Sequence, residues 1–299
     1  ISISFLSWKF IEVPARNKEI INNKIYYLVS SLCIIILIGI SSLGILSKGL
    51  LSNYPEKDHN LLLNKQQYGK YVWKKSSSIE IKEFSNTSKK KVIVIGDSYS
   101  QDLINSFIES GYESEIELSW YGINFECKKP IFDIKCLSRN LKIKEDLKQL
   151  INEADVIFLA MSWGRQHLRD VDKIFLEDEF NFFSKKLILV GSKQFELINE
   201  KRWTRKDLLK LKDPERLNLK TKISKELIYV NNLMKKNYEK KFISLIDILC
   251  DENLQCNLFD EDSALISYDG SHFTKAGARY LGEKLKKNQI IREKLFPKF

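Results

Sequence analysis

Three residues of this sequence are of types that do nucleophilic chemistry when brought together. Val94-Ile95-Gly96-Asp97-Ser98-Tyr99 runs from an apolar stretch straight into a helical pattern. A serine on such a strand-to-helix turn exposes its hydroxyl at a sheet edge, beside the unpaired N–H groups of the helix start. Those donors can hold an oxyanion while the serine attacks. Alone, Gly-Asp-Ser reads equally well as a plain turn with serine as helix cap. The second piece is Tyr268-Asp269-Gly270-Ser271-His272-Phe273-Thr274, followed by Gly277. The histidine stands three residues after an aspartate, at the threshold of a helix. The carboxylate can bond one ring nitrogen and fix the tautomer, leaving the other nitrogen to deprotonate a serine. Asp-x-x-His alone is a common structural turn. With Gly-Asp-Ser earlier in the same domain it makes a triad of Ser98, Asp269 and His272. Of the other histidines, His167 reads as a surface residue near Trp163, and His59 as an inert member of a juxtamembrane loop.

Such residues meet only on a regular frame. Apolar runs at 92–95, 116–120, 156–160, 187–190 and 242–246 read as buried strands. Helical patterns lie near 101–111, 141–153, 172–184, 222–240 and 274–288. Short apolar strands alternating with helices predict an α/β fold, a parallel sheet covered on both faces. Ligands of such sheets sit at the carboxyl ends of the strands, where both motifs fall. Residues 48–90 are polar and lysine- and serine-rich; Tyr54, Tyr68, Tyr71 and Trp73 mark them as an extension that packs on the next domain.

Residues 25–47 are 23 in a row without a charge. That length suits a bilayer-spanning helix. Lys9, Arg16, Lys18 and Lys24 precede it, and only Lys48 and Lys57 follow closely, so the positive-inside rule leaves the later residues outside the cytoplasm. Cysteines agree. Cys127 and Cys136 are nine apart and Cys250 and Cys256 six apart, spacings that suit local disulfides of an oxidising compartment. A four-thiolate zinc site would want tighter gaps, so no metal is expected. Cys33 falls within the span.

Composition sets the outer bounds. With 299 residues, 43% hydrophobic, 12 Gly and 5 Pro, the chain can build a core and is not disordered. The net charge of +10 comes from lysines scattered along the chain, a solvated surface; nucleic acid is excluded as a partner by location. A start at Ile1 rather than methionine sets the expectation of a fragment.

Gly96-Asp97-Ser98 and Asp269-x-x-His272 together resemble the SGNH (GDSL-like) hydrolase superfamily. The resemblance implies a three-layer α/β/α flavodoxin-like domain, with Ser98 as nucleophile, His272 as general base and Asp269 as its orienting partner. A narrower group is similar over nearly the whole chain. Ser7-Trp8-Lys9-Phe10-Ile11-Glu12-Val13-Pro14-Ala15-Arg16 resembles the signature "S-x-R-F-I-E-x-P-x-R" near the end of acyltransferase family 3 membrane domains. Leu189-Val190-Gly191 and the cysteine pair before Tyr268-Asp269-Gly270-Ser271-His272 resemble the ending of their fused SGNH domains. The division implied is 1–24 as the end of the acyltransferase membrane domain with a cytoplasmic loop, 25–47 as a transmembrane helix, 48–90 as an exported extension and 91–299 as the SGNH domain.

One block departs from the superfamily. The usual Gly-x-Asn-Asp is replaced by Leu159-Ala160-Met161-Ser162-Trp163-Gly164, with no asparagine. Trp163 fits the narrower group, and Gly122 is the best match for the second-block glycine. Oxyanion binding is therefore expected on Ser98, Gly122 and Trp163. The resemblance further implies O-acyl transfer, acetyl above all, to hydroxyls of a bacterial surface glycan such as lipopolysaccharide. The donor to the membrane domain would be acyl-CoA, and no cofactor would stay bound. The partners would be the glycan acceptor, the lipid bilayer and the rest of the membrane domain. The site would be the inner membrane, with the carboxy-terminal domain periplasmic. Two other functions share these residues: an anchored carbohydrate esterase, and a catalytically idle glycan-binding domain.

Overall fold

In the computed structural model the described residues are 5, 8–16, 23–47, 51–63, 65–85, 87–123, 141–176, 184–195 and 204–296. The chain divides into two units, Ile1–Pro55 and Glu56–Phe299. The first unit is dominated by helix α1 (Asn23–Leu46). Its stretch Tyr27–Leu46 has a mean hydropathy of 2.5, and none of its residues is buried within the protein. A helix that displays leucine and isoleucine all round is a candidate membrane span. Cys33 is a free thiol on it.

In the second unit five β-branched, apolar runs become parallel strands. They are β1 (Lys90–Gly96), β2 (Ile116–Gly122), β3 (Val156–Ala160), β4 (Leu187–Val190) and, after a two-stranded antiparallel pair's first strand β5 (Lys220–Lys222), β6 (Phe242–Ile243). The sheet order is β2-β1-β3-β4-β6, every neighbouring pair parallel. Counted within the sheet this is 2-1-3-4-5, the flavodoxin-like winding, whose order reverses beside β1 and opens a crevice between the ends of β1 and β3. β5 pairs with β7 (Gln255–Asn257).

Side chains of a strand alternate between faces, so each strand feeds two cores. Val92 and Val94 pack with Leu103, Ile104 and Phe107 of a helix over Ser98–Glu109 and with Leu281 and Leu285 of one over Lys275–Leu285. Ile93 and Ile95 pack on the other face with Leu150, Val171, Val230 and Met234. Three layers result, as the sequence pattern predicts.

Two segments differ from the expectation. The fifth apolar run is strand only at Phe242–Ile243, because the Ser244 hydroxyl accepts the Asp247 N–H at 3.2 Å and starts a helix over Leu245–Leu249. The polar stretch before β1 is largely helical: α2 (Glu56–Leu62) carries His59, placed in a loop by the sequence reading, and α3 (Lys65–Ser77) follows. Tyr68 and Val72, one turn apart, form the buried stripe of α3, and the Asn105 amide donates to the Val72 carbonyl at 3.1 Å. A buried Arg216–Asp58 ion pair and a Lys57–Asp213 pair at 2.6 Å hold α2. Cys250 and Cys256 form a disulfide; Cys127 and Cys136 lie outside the described residues.

Candidate active site

β1 ends on Gly96, whose φ of +150° and contact with the Ala160 carbonyl leave no room for a Cβ. The chain can therefore turn sharply across the mouth of β3 into α4 (Ser98–Glu109). Asp97 caps that helix, one oxygen accepting the Tyr99 N–H at 3.0 Å and the other the Ser162 N–H at 3.1 Å, from the loop leaving β3. The Ser100 hydroxyl donates to the Asp97 carbonyl at 2.5 Å and accepts the Trp120 indole N–H at 2.7 Å. Ser98 is thus the first residue of a pinned helix, half-buried, at the switch point of the sheet. N–H groups at that position have no partner within the helix.

Across the crevice lies the loop into α5 (Lys275–Leu285). One oxygen of Asp269 accepts the backbone N–H groups of Ser271 at 2.8 Å and His272 at 2.7 Å. The other accepts the His272 ring through Nδ1 at 2.7 Å. A carboxylate only accepts, so Nδ1 carries a proton, and in the neutral tautomer this fixes, Nε2 holds the lone pair. Gly270 makes this turn at φ +84°. The Ser267 hydroxyl accepts the Gly270 N–H at 3.0 Å and donates to the His272 carbonyl at 2.7 Å. Partial burial pushes the Asp269 carboxyl up, but the His272 ring, then its N–H and that of Ser271, outweigh this and hold it below the ordinary value.

The two halves meet through Tyr99, whose ring centroid is 6.4 Å from that of His272. Burial pushes the Tyr99 phenol up to about 12, against a hydrogen bond from Ser271, so it is uncharged at neutral pH. Tyr268 stacks with the imidazole at a centroid distance of 6.0 Å. His272 and Asp269 side chains stay 22% and 25% exposed, open to a substrate. A histidine oriented by a carboxylate, with its ring near the residue that follows a helix-start serine, is an arrangement suited to general-base chemistry.

The remaining residues singled out by sequence sit as follows. Gly122 ends β2 opposite Gly96 in the register of the sheet, at the same edge as Ser98. Trp163 is buried with both its N–H groups engaged: the backbone N–H donates to Ser192 Oγ and the indole N–H to the Val190 carbonyl, each at 2.6 Å. Its neighbours Ser162 and Gly164 donate to Asp97 and to His167 Nδ1, so three successive amides of this loop already have acceptors. His167 is not a surface residue. It is 2% exposed, accepts the Gly164 N–H at 2.9 Å and meets Trp163 edge-on. A short turn needing an acceptor for that N–H explains its burial. Sequence reasoning missed Lys193 and Asp102, both packed around the His272 loop; a lysine just past a strand's carboxyl end was the one available signal. Tyr68, read from the sequence as part of a packing extension, lies on Tyr268 of that loop. No group of three or more His, Cys, Asp or Glu residues able to hold a metal occurs among the described residues.

The winding and the crevice define a doubly wound α/β domain of the SGNH kind. The model of the family described as "SGNH domain (fused to AT3 domains)" matches residues 67–287, and the chain belongs to that family. No curated protein matches the sequence. Among solved structures, the periplasmic domain of a Salmonella ser. Paratyphi A lipopolysaccharide acetyltransferase is similar, with a TM-score of 0.51 and 15% identity over 79% of this chain and 98% of that one. A Streptococcus pneumonia chain named for a platelet activating factor aligns at a TM-score of 0.40 and 16% identity, over 74% of this chain and 96% of the other.

Proposed function

We propose that the domain transfers acyl groups through an acyl-serine, with Ser98 as nucleophile, His272 as general base and Asp269 as the group that orients it. The observation that carries this is the 2.7 Å contact of His272 Nδ1 with Asp269 Oδ2, with the His272 ring centroid 6.4 Å from that of Tyr99, the residue after Ser98. Nε2 takes the Ser98 proton as Oγ attacks the acyl carbonyl. The tetrahedral oxyanion is met by the N–H of Ser98 and by the backbone at Gly122, with Trp163 as a wall. Collapse breaks the bond to the donor's leaving oxygen, which takes the proton back from His272. An acceptor hydroxyl then gives its proton to His272 and attacks acyl-Ser98, and the departing Ser98 oxygen takes that proton back from His272.

The acceptor in this proposal is a hydroxyl of a bacterial cell-surface glycan, and the acyl group is acetyl. Support comes from membership of a family named for fusion to AT3 domains and from a fold shared with a lipopolysaccharide acetyltransferase periplasmic domain. An acyltransferase family 3 membrane domain would draw on cytoplasmic acyl-CoA, and α1 would tether the SGNH domain on the periplasmic face of the inner membrane. No bound cofactor or metal enters the scheme.

The experiment gives the chain, in detergent, a nitrophenyl acetate donor with and without a glycan rich in free hydroxyls. Acetyl should pass to the glycan at the expense of free acetate, and Ser98→Ala should stop both. Acetate release that no glycan diverts would instead make the domain an esterase.

A further inference from the structure

Among the described residues, one ion pair has both side chains only 2% exposed: Lys193 Nζ lies 2.6 Å from Asp102 Oδ2. Asp102 stands four residues after Ser98, on the same face of α4. Lys193 follows β4 by three residues. Together they grip the peptide groups on either side of His272. Lys193 Nζ also donates to the Ser271 carbonyl, and Asp102 Oδ1 accepts the Phe273 N–H at 3.2 Å. The Phe195 N–H, from the same loop as Lys193, donates to the Gly270 carbonyl at 2.8 Å. The ammonium lies over the rings of Phe273 at 4.0 Å and Tyr99 at 4.8 Å. Burial pushes the Asp102 carboxyl up, and the Lys193 ammonium pulls against it.

A fully buried pair adds little net stability, because desolvation offsets most of the attraction and an apolar pair of similar volume can hold a core as well. Its bonds are directional, however, and here they end on residues 271 and 273. We infer that Lys193 and Asp102 are positioning residues: a buried charged clamp that fixes His272 over the first turn of α4, so that Nε2 is aimed at Ser98. The inference rests on the assignment of His272 as base to Ser98. Asp269 sets the tautomer and ring angle from within the loop. The clamp sets where the loop itself stands relative to the helix that carries the serine. Displacing a catalytic group by about an ångström costs up to about a hundredfold in rate.

The test compares Lys193→Met, the double variant Lys193→Met/Asp102→Leu and Ser98→Ala in the detergent-solubilised chain. The single variant leaves Asp102 buried without its partner and should melt early. The double variant removes both charges at similar volume and should melt near the wild type. Its kcat for nitrophenyl acetate should nonetheless fall by about ten- to a hundredfold, with labelling of Ser98 by a phosphonate slowed in step. A double variant that melts and turns over like the wild type, or that changes KM alone, would reduce the pair to a structural one. Failure of both Lys193 variants to fold would also overturn the inference, since the clamp would then be inseparable from the core. Ser98→Ala reports on the underlying assignment separately: wild-type turnover there would remove the triad whatever Lys193 does.

Discussion

Tyr68 of α3 lies flat on Tyr268, ring centroids 4.2 Å apart and planes within 4°, and Tyr268 in turn stacks on His272. The extension before β1 thus reaches the His272 loop through two rings. Truncating Tyr68→Ala should cost about 3–5 kcal/mol by the cavity it leaves, and lower turnover several-fold through a loosened Tyr268. Tyr68→Phe should be neutral or slightly stabilising, because the buried Tyr68 hydroxyl has no hydrogen-bond partner among the described residues. Thermal unfolding of the two variants checks both. A strong loss from Tyr68→Phe would contradict the stacking account.

The Asp269 carboxyl is held below the ordinary 3.8, by the His272 ring foremost among the groups that lower it. A depressed carboxylate contributes stability that is complete above its unfolded value and lost as pH falls through its folded one. The Asp269–His272 turn should therefore keep this contribution down to about pH 4 and lose it only below. Carbon-13 titration should find the Asp269 midpoint under 3.8, and His272→Ala should raise it. A midpoint unmoved by His272→Ala would show that the ring does not bear on the carboxylate.

The Cys250–Cys256 disulfide closes a short loop that runs into β7, ahead of the Asp269–His272 segment. Replacing both residues by serine should lower stability by about 2 kcal/mol on chain entropy alone. Denaturant unfolding with and without reductant measures it. Equal midpoints for the wild type under both conditions would mean the bond adds nothing.

Much of this was legible in the residues. Each central strand appears as a short apolar run, and the Asp269–His272 contact follows from a spacing of three, because both partners lie in one turn. Contacts that join distant segments leave no such trace. Lys193 and Asp102 are 91 residues apart, and each looks in sequence like any surface charge. The extension showed only in part: its aromatics mark it as packing, but its buried stripe is narrow, Tyr68 and Val72 amid lysines and serines, so its helices leave no clear pattern. At 242–246 an apolar run continued past the strand because Ser244 switches the backbone to helix without changing the hydropathy. His167 was misplaced because a backbone N–H, invisible to side-chain pattern, supplies the partner that lets it be buried.

Basic residues crowd the start of α1 and are sparse after it. With that helix as a span, the positive-inside rule predicts that a periplasm-only reporter fused after Phe299 is active and a cytoplasm-only reporter silent. The reverse pattern would invert the topology.

The central claim is that Ser98 carries the acyl group. The chain should be treated with a serine-directed phosphonate, digested, and the modified peptide sequenced by mass spectrometry. One adduct is expected, on Ser98, absent from Ser98→Ala and formed far more slowly in His272→Ala. An adduct on another residue, or labelling of Ser98 that does not depend on His272, would contradict the account.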